Sequence, residues 1–133
     1  MKIYTINARV RKKSNVAVLL DSFEAGIKAV ESEAEIIRVN LYELTFKGCR
    51  ECFLCKLKNG KSYGECGFRD GAFELVHGVS HADGFALGSP VFFGDLGAEA
   101  KEKWHRKQYP KDCKKAYDIG QKMAEELKSE TEQ

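Results

Sequence analysis

The order of apolar segments along the chain points to an α/β domain with a parallel sheet. Strand-length runs of β-branched and aromatic residues alternate with stretches of helical period, and glycine and proline punctuate the junctions. The layout is strand, helix, strand, helix, strand. Such alternation favours right-handed crossovers between parallel strands, with ligands gathered at the strands' carboxyl ends.

Each element has its own signal. Residues 2–7, KIYTIN, read as a buried strand that breaks into the basic loop ARVRKKSN. Ser14 or Asn15 caps a helix whose Val16, Leu19, Leu20, Phe23, Ile27 and Val30 form one apolar stripe. The segment AEIIRVNLYEL, residues 34–44, supplies a second strand through Ile36, Ile37, Val39 and Leu41. Ala72, Leu75, Val76 and Val79 mark a second helix, and HADGFALGSPVFFG, residues 81–94, reads as a third buried strand ending in a turn. A final helix, YPKDCKKAYDIGQKMAEELK, has Pro110 near its start and aligns Cys113, Tyr117, Gly120, Ala124 and Leu127 on one face.

The bulk composition narrows the function. A chain of 133 residues, 43% hydrophobic, is sized for one domain spanning residues 1–133. The 22 basic side chains nearly balance 20 acidic ones, and a mild excess of 12 basic over 7 acidic in the first 61 residues falls short of a nucleic-acid footprint. No apolar run is long enough to cross a bilayer. Five cysteines at clustered CxxC spacing suit reduced thiols or ligands in the cytoplasm rather than a secreted disulfide framework.

Three segments can carry chemistry. The turn NARVRKKSN opens a helix, whose unpaired N–H groups and partial positive charge suit a phosphate; the alternative is a solvated basic connection. GSPVFFG can present backbone amides and an aromatic wall to a flat ligand, or send its phenylalanines into the core. Cys49, Cys52, Cys55 and Cys66 form the third. At about 100° per residue the first and third of these cysteines diverge by about 240° on a regular helix, so a wrapped loop is needed to aim them at one ion. The open readings there are an iron–sulfur cluster, tetrahedral zinc, thiol redox chemistry or plain packing. The histidines His77, His81 and His105 lack ligand spacing and receive no role.

Taken in order, NARVRKKSNVAVLL, KGCRECFLC and ADGFALGSPVFFG resemble the phosphate loop, cysteine loop and flavin-contacting turn of the flavodoxin-like NAD(P)H-dependent FMN reductases, including their iron–sulfur flavoprotein branch. The resemblance spans residues 1–97 as a family core, with 98–133 as a carboxyl-terminal helical segment. It implies a shortened flavodoxin-like three-layer sheet of three strands, ordered 2-1-3, with flanking helices. It also implies FMN as cofactor and NAD(P)H as electron donor, with hydride transfer to the flavin and on to a small-molecule or protein acceptor. Carried over by position, Arg11, Lys12, Ser14, Asn15 and Val16 surround the phosphate, while Ser89, Pro90, Val91, Phe92, Phe93 and Gly94 border the flavin. No catalytic side chain is implied. Cys49, Cys52, Cys55 and Cys66 correspond to the ligands of a 4Fe-4S cluster, with zinc as the other occupant.

The chain also departs from the family pattern. Arg9 and Val10 stand where the family has serine and proline, and Ser14 and Val16 where it has glycine and threonine, so weak FMN affinity is expected. The ten residues between Cys55 and Cys66 exceed the usual gap, which favours an empty or thiol-only loop. The shortened second half exposes an apolar sheet edge, so a homodimer or marginal stability is expected. The alternatives to a reductase are an electron-transfer or metal-binding module built on the cysteines, and a cofactor-free remnant of the fold.

Overall fold

Strand β1 (Lys2–Asn7) is flanked by β2 (Glu35–Asn40) and β3 (Gly84–Gly88), and it pairs in parallel with both. The structure, a computed structural model, describes residues 1–11, 13–90 and 106–131. The expectations for Lys12, Val91, Phe92, Phe93, Gly94 and His105 fall outside those residues. The sheet order is β2-β1-β3, the shortened flavodoxin-like arrangement. Registry places Asn7 beside Asn40 on one side and Gly88 on the other, so the three carboxyl ends finish level.

Alternation along β1 assigns its two faces. Ile3, Thr5 and Asn7 are buried beneath α1 (Asn15–Val30) and α3 (Tyr109–Thr131), whereas Tyr4 points to α2 (Gly71–Ser80), where its ring lies against Gly78. Among the described residues, two helices on one face and one on the other give three layers. The core joins Ile3, Phe23, Ile27, Ala34 and Ala124, edged by Ile36, Ala86, Met123 and Leu127.

The approach of α1 to α3 sets the thickness of that core. A Cβ on Gly26 would fall on the backbone carbonyl of Tyr117, and one on Gly120 would fall on the carbonyl of Phe23. The two backbones therefore touch, and the paired glycines make this possible. Met123 in turn occupies the space that a side chain on Gly84 would need, which seats α3 on β3. At the far end Lys128 pairs with Glu31 at 2.9 Å and donates to the carbonyl of Val30 at 2.8 Å, closing the carboxyl terminus of α1.

A polar cluster fixes α1 over the other edge. Thr5 Oγ1 donates to Glu24, and Arg38 of β2 reaches Glu24 with Nε at 2.8 Å and Asp21 with Nη1 at 2.7 Å. Charged partners face one another there at the rim of the core, with Arg38 Nη2 also 2.7 Å from Glu24.

Two sequence expectations change. The second strand stops at Asn40 and passes into a 3-10 turn at Leu41–Glu43, because Asn40 turns its side chain to Asn7 and Glu43. The third strand is half-buried rather than buried: Phe85 and Leu87 are 55% and 60% exposed. Register sets Phe85 and Leu87 level with Tyr4 and Ile6, on the sheet face opposite α1 and α3, where among the described residues α2 is the one helix and its Gly78 lies against Tyr4 of β1.

The helix contact is testable by stability. In an open helix Gly→Ala stabilises by up to about 1 kcal/mol, but at Gly120 the added methyl meets fixed backbone. Gly120→Ala is expected to lower the unfolding free energy by about 2 kcal/mol. Exposed Ile119→Ala should change it by about 0.5 kcal/mol or less, both read by denaturant melts.

Candidate functional site

Parallel pairing delivers every strand-to-helix connection to one edge of the sheet. The turn after β1, the long loop after β2 and the segment after β3 all leave from there. The backbone N–H of Ala8 donates to the carbonyl of Gly88 at 2.8 Å, which joins the first and third segments just beyond the strands. Gly88 has a steric reason as well, since a Cβ there would approach Val16 Cγ1 to 2.6 Å and Leu20 Cδ1 to 3.1 Å. Its absence lets the first turn of α1 settle onto the end of β3.

Ser14 is the N-cap of α1, with extended backbone, and its Oγ accepts from Ala17 N–H at 3.3 Å. That bond directs the hydroxyl into its own helix. Asn15 opens the helix and its carbonyl accepts from the Tyr109 hydroxyl at 3.1 Å. Val16 is a core residue, so only its backbone faces the turn. Arg11 is exposed at the tip. The first turn of α1 carries no acidic side chain of its own, so nothing within the helix offsets its partial positive charge. Ser89 is exposed and Pro90 half-buried at the end of β3, and Ser89 borders an apolar groove of about 350 Å³ that runs between α1, α3 and β3.

Asn7 and Tyr109 belong to this neighbourhood although the sequence reading passed over them. Asn7 Nδ2 donates to Asn40 Oδ1 at 3.1 Å, while the buried Asn7 Oδ1 has no partner among the described residues. An orphaned acceptor at a strand's carboxyl end fits a ligand hydroxyl. The available signal was the asparagine closing both KIYTIN and EIIRVN. Burial, then the nearby Cys113, pushes the Tyr109 hydroxyl up to about 12, so it stays a protonated donor to α1.

The cysteine loop is wrapped, as its spacing demands. Glu51 and Phe53 have φ of 53° and 56°, left-handed conformations on either side of Cys52. These turn Cys49, Cys52 and Cys55 toward a cavity of about 780 Å³ that Cys66 also lines. The ten residues before Cys66 double back on themselves: Gly64 N–H donates to the Cys55 carbonyl at 2.9 Å, and Leu54 packs where Gly67 has no side chain. The excursion thus brings Cys66 to the lining of the same cavity, without gathering the thiols into a ligand set. Four thiols around one cavity suit a thiolate-bound cluster by donor chemistry. Among the described residues, however, no three His, Cys, Asp or Glu side chains converge as a formed metal site.

Asp70 locks this loop to α2. Its carboxylate caps the helix by accepting from Ala72 and Phe73 N–H, both at 3.1 Å, and the other oxygen accepts from Lys47 N–H at 3.2 Å. The cation of Arg69 lies 3.8 Å above the Phe73 ring beside it.

Comparison with known proteins decides the ancestry. The family description of the NADPH-dependent FMN reductases matches residues 1–117. The chain belongs to that family. An iron-sulfur flavoprotein of Archaeoglobus fulgidus is 32% identical over 96 residues, covering 72% of this chain and 43% of the relative. One of Methanocaldococcus jannaschii is 31% identical over 101 residues, covering 76% and 49%. A further Archaeoglobus fulgidus iron-sulfur flavoprotein is 31% identical over 102 residues, covering 76% and 43%. The chain spans less than half the length of these family members. Among the described residues no helix is long and apolar enough to cross a membrane.

The Asp70 lock gives a pH signature. The N–H groups of Phe73, Lys47 and Ala72 hold its carboxyl below the usual aspartate value. With the folded value depressed, the stabilisation is complete above the unfolded value and disappears as pH falls through the folded one. Asp70→Ala is therefore expected to lower Tm near neutrality, with the gap to the wild type closing as pH drops below the ordinary carboxylate range.

Proposed function

We propose that this chain is an FMN-binding oxidoreductase module that takes hydride from NAD(P)H and delivers electrons to a small-molecule or protein acceptor. The observation that carries the reading is the junction of its phosphate-type turn with its GSP turn through Ala8 and Gly88 at the carboxyl edge of the sheet. Family membership supports the same cofactor. Bound FMN would supply the hydride and electron chemistry, and the protein's task is to hold and orient it. The first turn of α1 and Arg11 would attract the phosphate, Asn7 Oδ1 would accept from a ribityl hydroxyl, and Ser89 and Pro90 would begin the wall beside the ring.

In this reading Cys49, Cys52, Cys55 and Cys66 are the thiolates for an iron–sulfur cluster. Their shared cavity and the relatives' names support that assignment. A cluster would relay single electrons beside the flavin. The exposed Phe85 and Leu87 on the edge of β3 support a homodimer.

The test begins with FMN titration of the anaerobically purified protein, with metal and sulfide analysis. Resolved flavin bands and turnover of NADH or NADPH above that of free FMN are expected. Protein that gains no bands with added FMN would sink the proposal, and stoichiometric zinc would replace the cluster assignment. Loss of one exposed charge near a phosphate is worth about 0.5 kcal/mol, so Arg11→Ala should weaken FMN binding roughly twofold. Sedimentation should give twice the monomer mass, and Leu87→Lys should return it to one chain.

A further inference from the structure

The excursion that carries Cys66 back also builds a surface that neither the flavin site nor the thiolates explain. Residues 47–63 hold five cations, Lys47, Arg50, Lys56, Lys58 and Lys61, against the single carboxylate Glu51. Arg50 lies 5.0 Å above the Phe68 ring and Lys56 5.8 Å above Phe53, while Lys47, Lys58 and Lys61 have no ion-pair partner among the described residues. The neighbouring carboxylate of Glu65 is engaged by Arg69 at 3.2 Å, so it leaves this charge unneutralised. Large apolar side chains stand out between the cations: Phe53 is 59% exposed, Leu57 54% and Tyr63 56%. An apolar patch interleaved with cations on a turn held shut by backbone bonds is a preformed recognition surface.

We propose that this cationic and apolar tip docks a protein whose face presents carboxylates around an apolar centre. Charge complementarity selects that occupant. A second copy of this chain seated on the same tip would bring like charges together, which opposes docking. Nucleic acid stacks on a succession of free aromatic faces, whereas here Phe53 and Phe68 carry Lys56 and Arg50 over their rings, and of the three aromatics only Tyr63 has no such cation among the described residues. Leu54 and Leu57 add aliphatic surface that suits a protein core contact. Docking here would seat the partner against the cavity lined by the four cysteines. The inference concerns the loop alone and goes beyond the flavin reading.

The experiment titrates the full chain into a fluorescent peptide of alternating glutamate pairs and leucines. A single-stranded oligodeoxynucleotide and phosphatidylserine-containing vesicles serve as competing probes. The same samples are assayed for FMN bands, which separates failure of docking from failure of the flavin site. Preferential binding to the peptide is expected, falling about tenfold from low to physiological salt. The double variant Lys58→Glu, Lys61→Glu should lose a further tenfold or so, whereas Lys111→Glu, Lys115→Glu on α3, which has the same net charge as that variant, should stay close to the wild type. Circular dichroism on both variants checks the fold. Tighter binding to the oligonucleotide or the vesicles, equal losses in both double variants, or no peptide binding by a folded chain would overturn the proposal.

Discussion

The backbone contact between α1 and α3 is the constraint on which the other features rest. A three-stranded sheet has little area to cover a core, so depth has to come from helices that lie very close. Gly26 and Gly120 remove the two side chains that would hold the helices apart, and the carbonyls of Tyr117 and Phe23 occupy the space. Phe23, Ile27 and Ala124 then reach Ile3 on the central strand. With α1 positioned this way, its amino terminus comes to the carboxyl edge of the sheet, where Ser14 caps it and Gly88 admits Val16. Separating the helices would move the phosphate-type turn along with the core.

The second dependence is topological. Because β1 pairs in parallel on both sides, the turns that follow the strands share one edge, and the cysteine loop has no alternative exit from β2. The Asn7 to Asn40 bond ties those two ends together. Asp70 then fixes the return of the loop into α2 through three backbone donors. A segment with almost no buried side chain is thus held at its ends and by internal turns rather than by a core of its own.

Much of this frame was legible in the residues. KIYTIN gave the central strand without a boundary error, and the three- and four-residue steps from Val16 to Val30 gave α1, because strong periodicity survives tertiary context. Sheet order came from family resemblance, since periodicity contains no information on neighbours. The third strand differs in burial: an apolar run predicts cover on both faces, and which face a helix covers is not written in the run itself. Asn7 escaped notice because its meaning lies in an orphaned oxygen, a property of three-dimensional surroundings. Gly120 falls on the packing face of the last helix, but the need for glycine there and at Gly26 lies in the backbone of the opposite helix, at Phe23 and Tyr117.

The ten-residue gap before Cys66 is closed locally, which brings that cysteine to the cavity of the other three without forming a ligand set among the described residues. Read along the chain, it separates one thiol from the other three. Loop entropy grows only slowly with length, so adding residues to a connection is cheap provided its ends can meet. Here the ends meet through one bond from Gly64 to Cys55 and the packing of Leu54 against Gly67. Once closed in this way, the excursion no longer sets where Cys66 lies, and its exposed lysines and apolar side chains are free to serve recognition while the cysteines keep a common cavity.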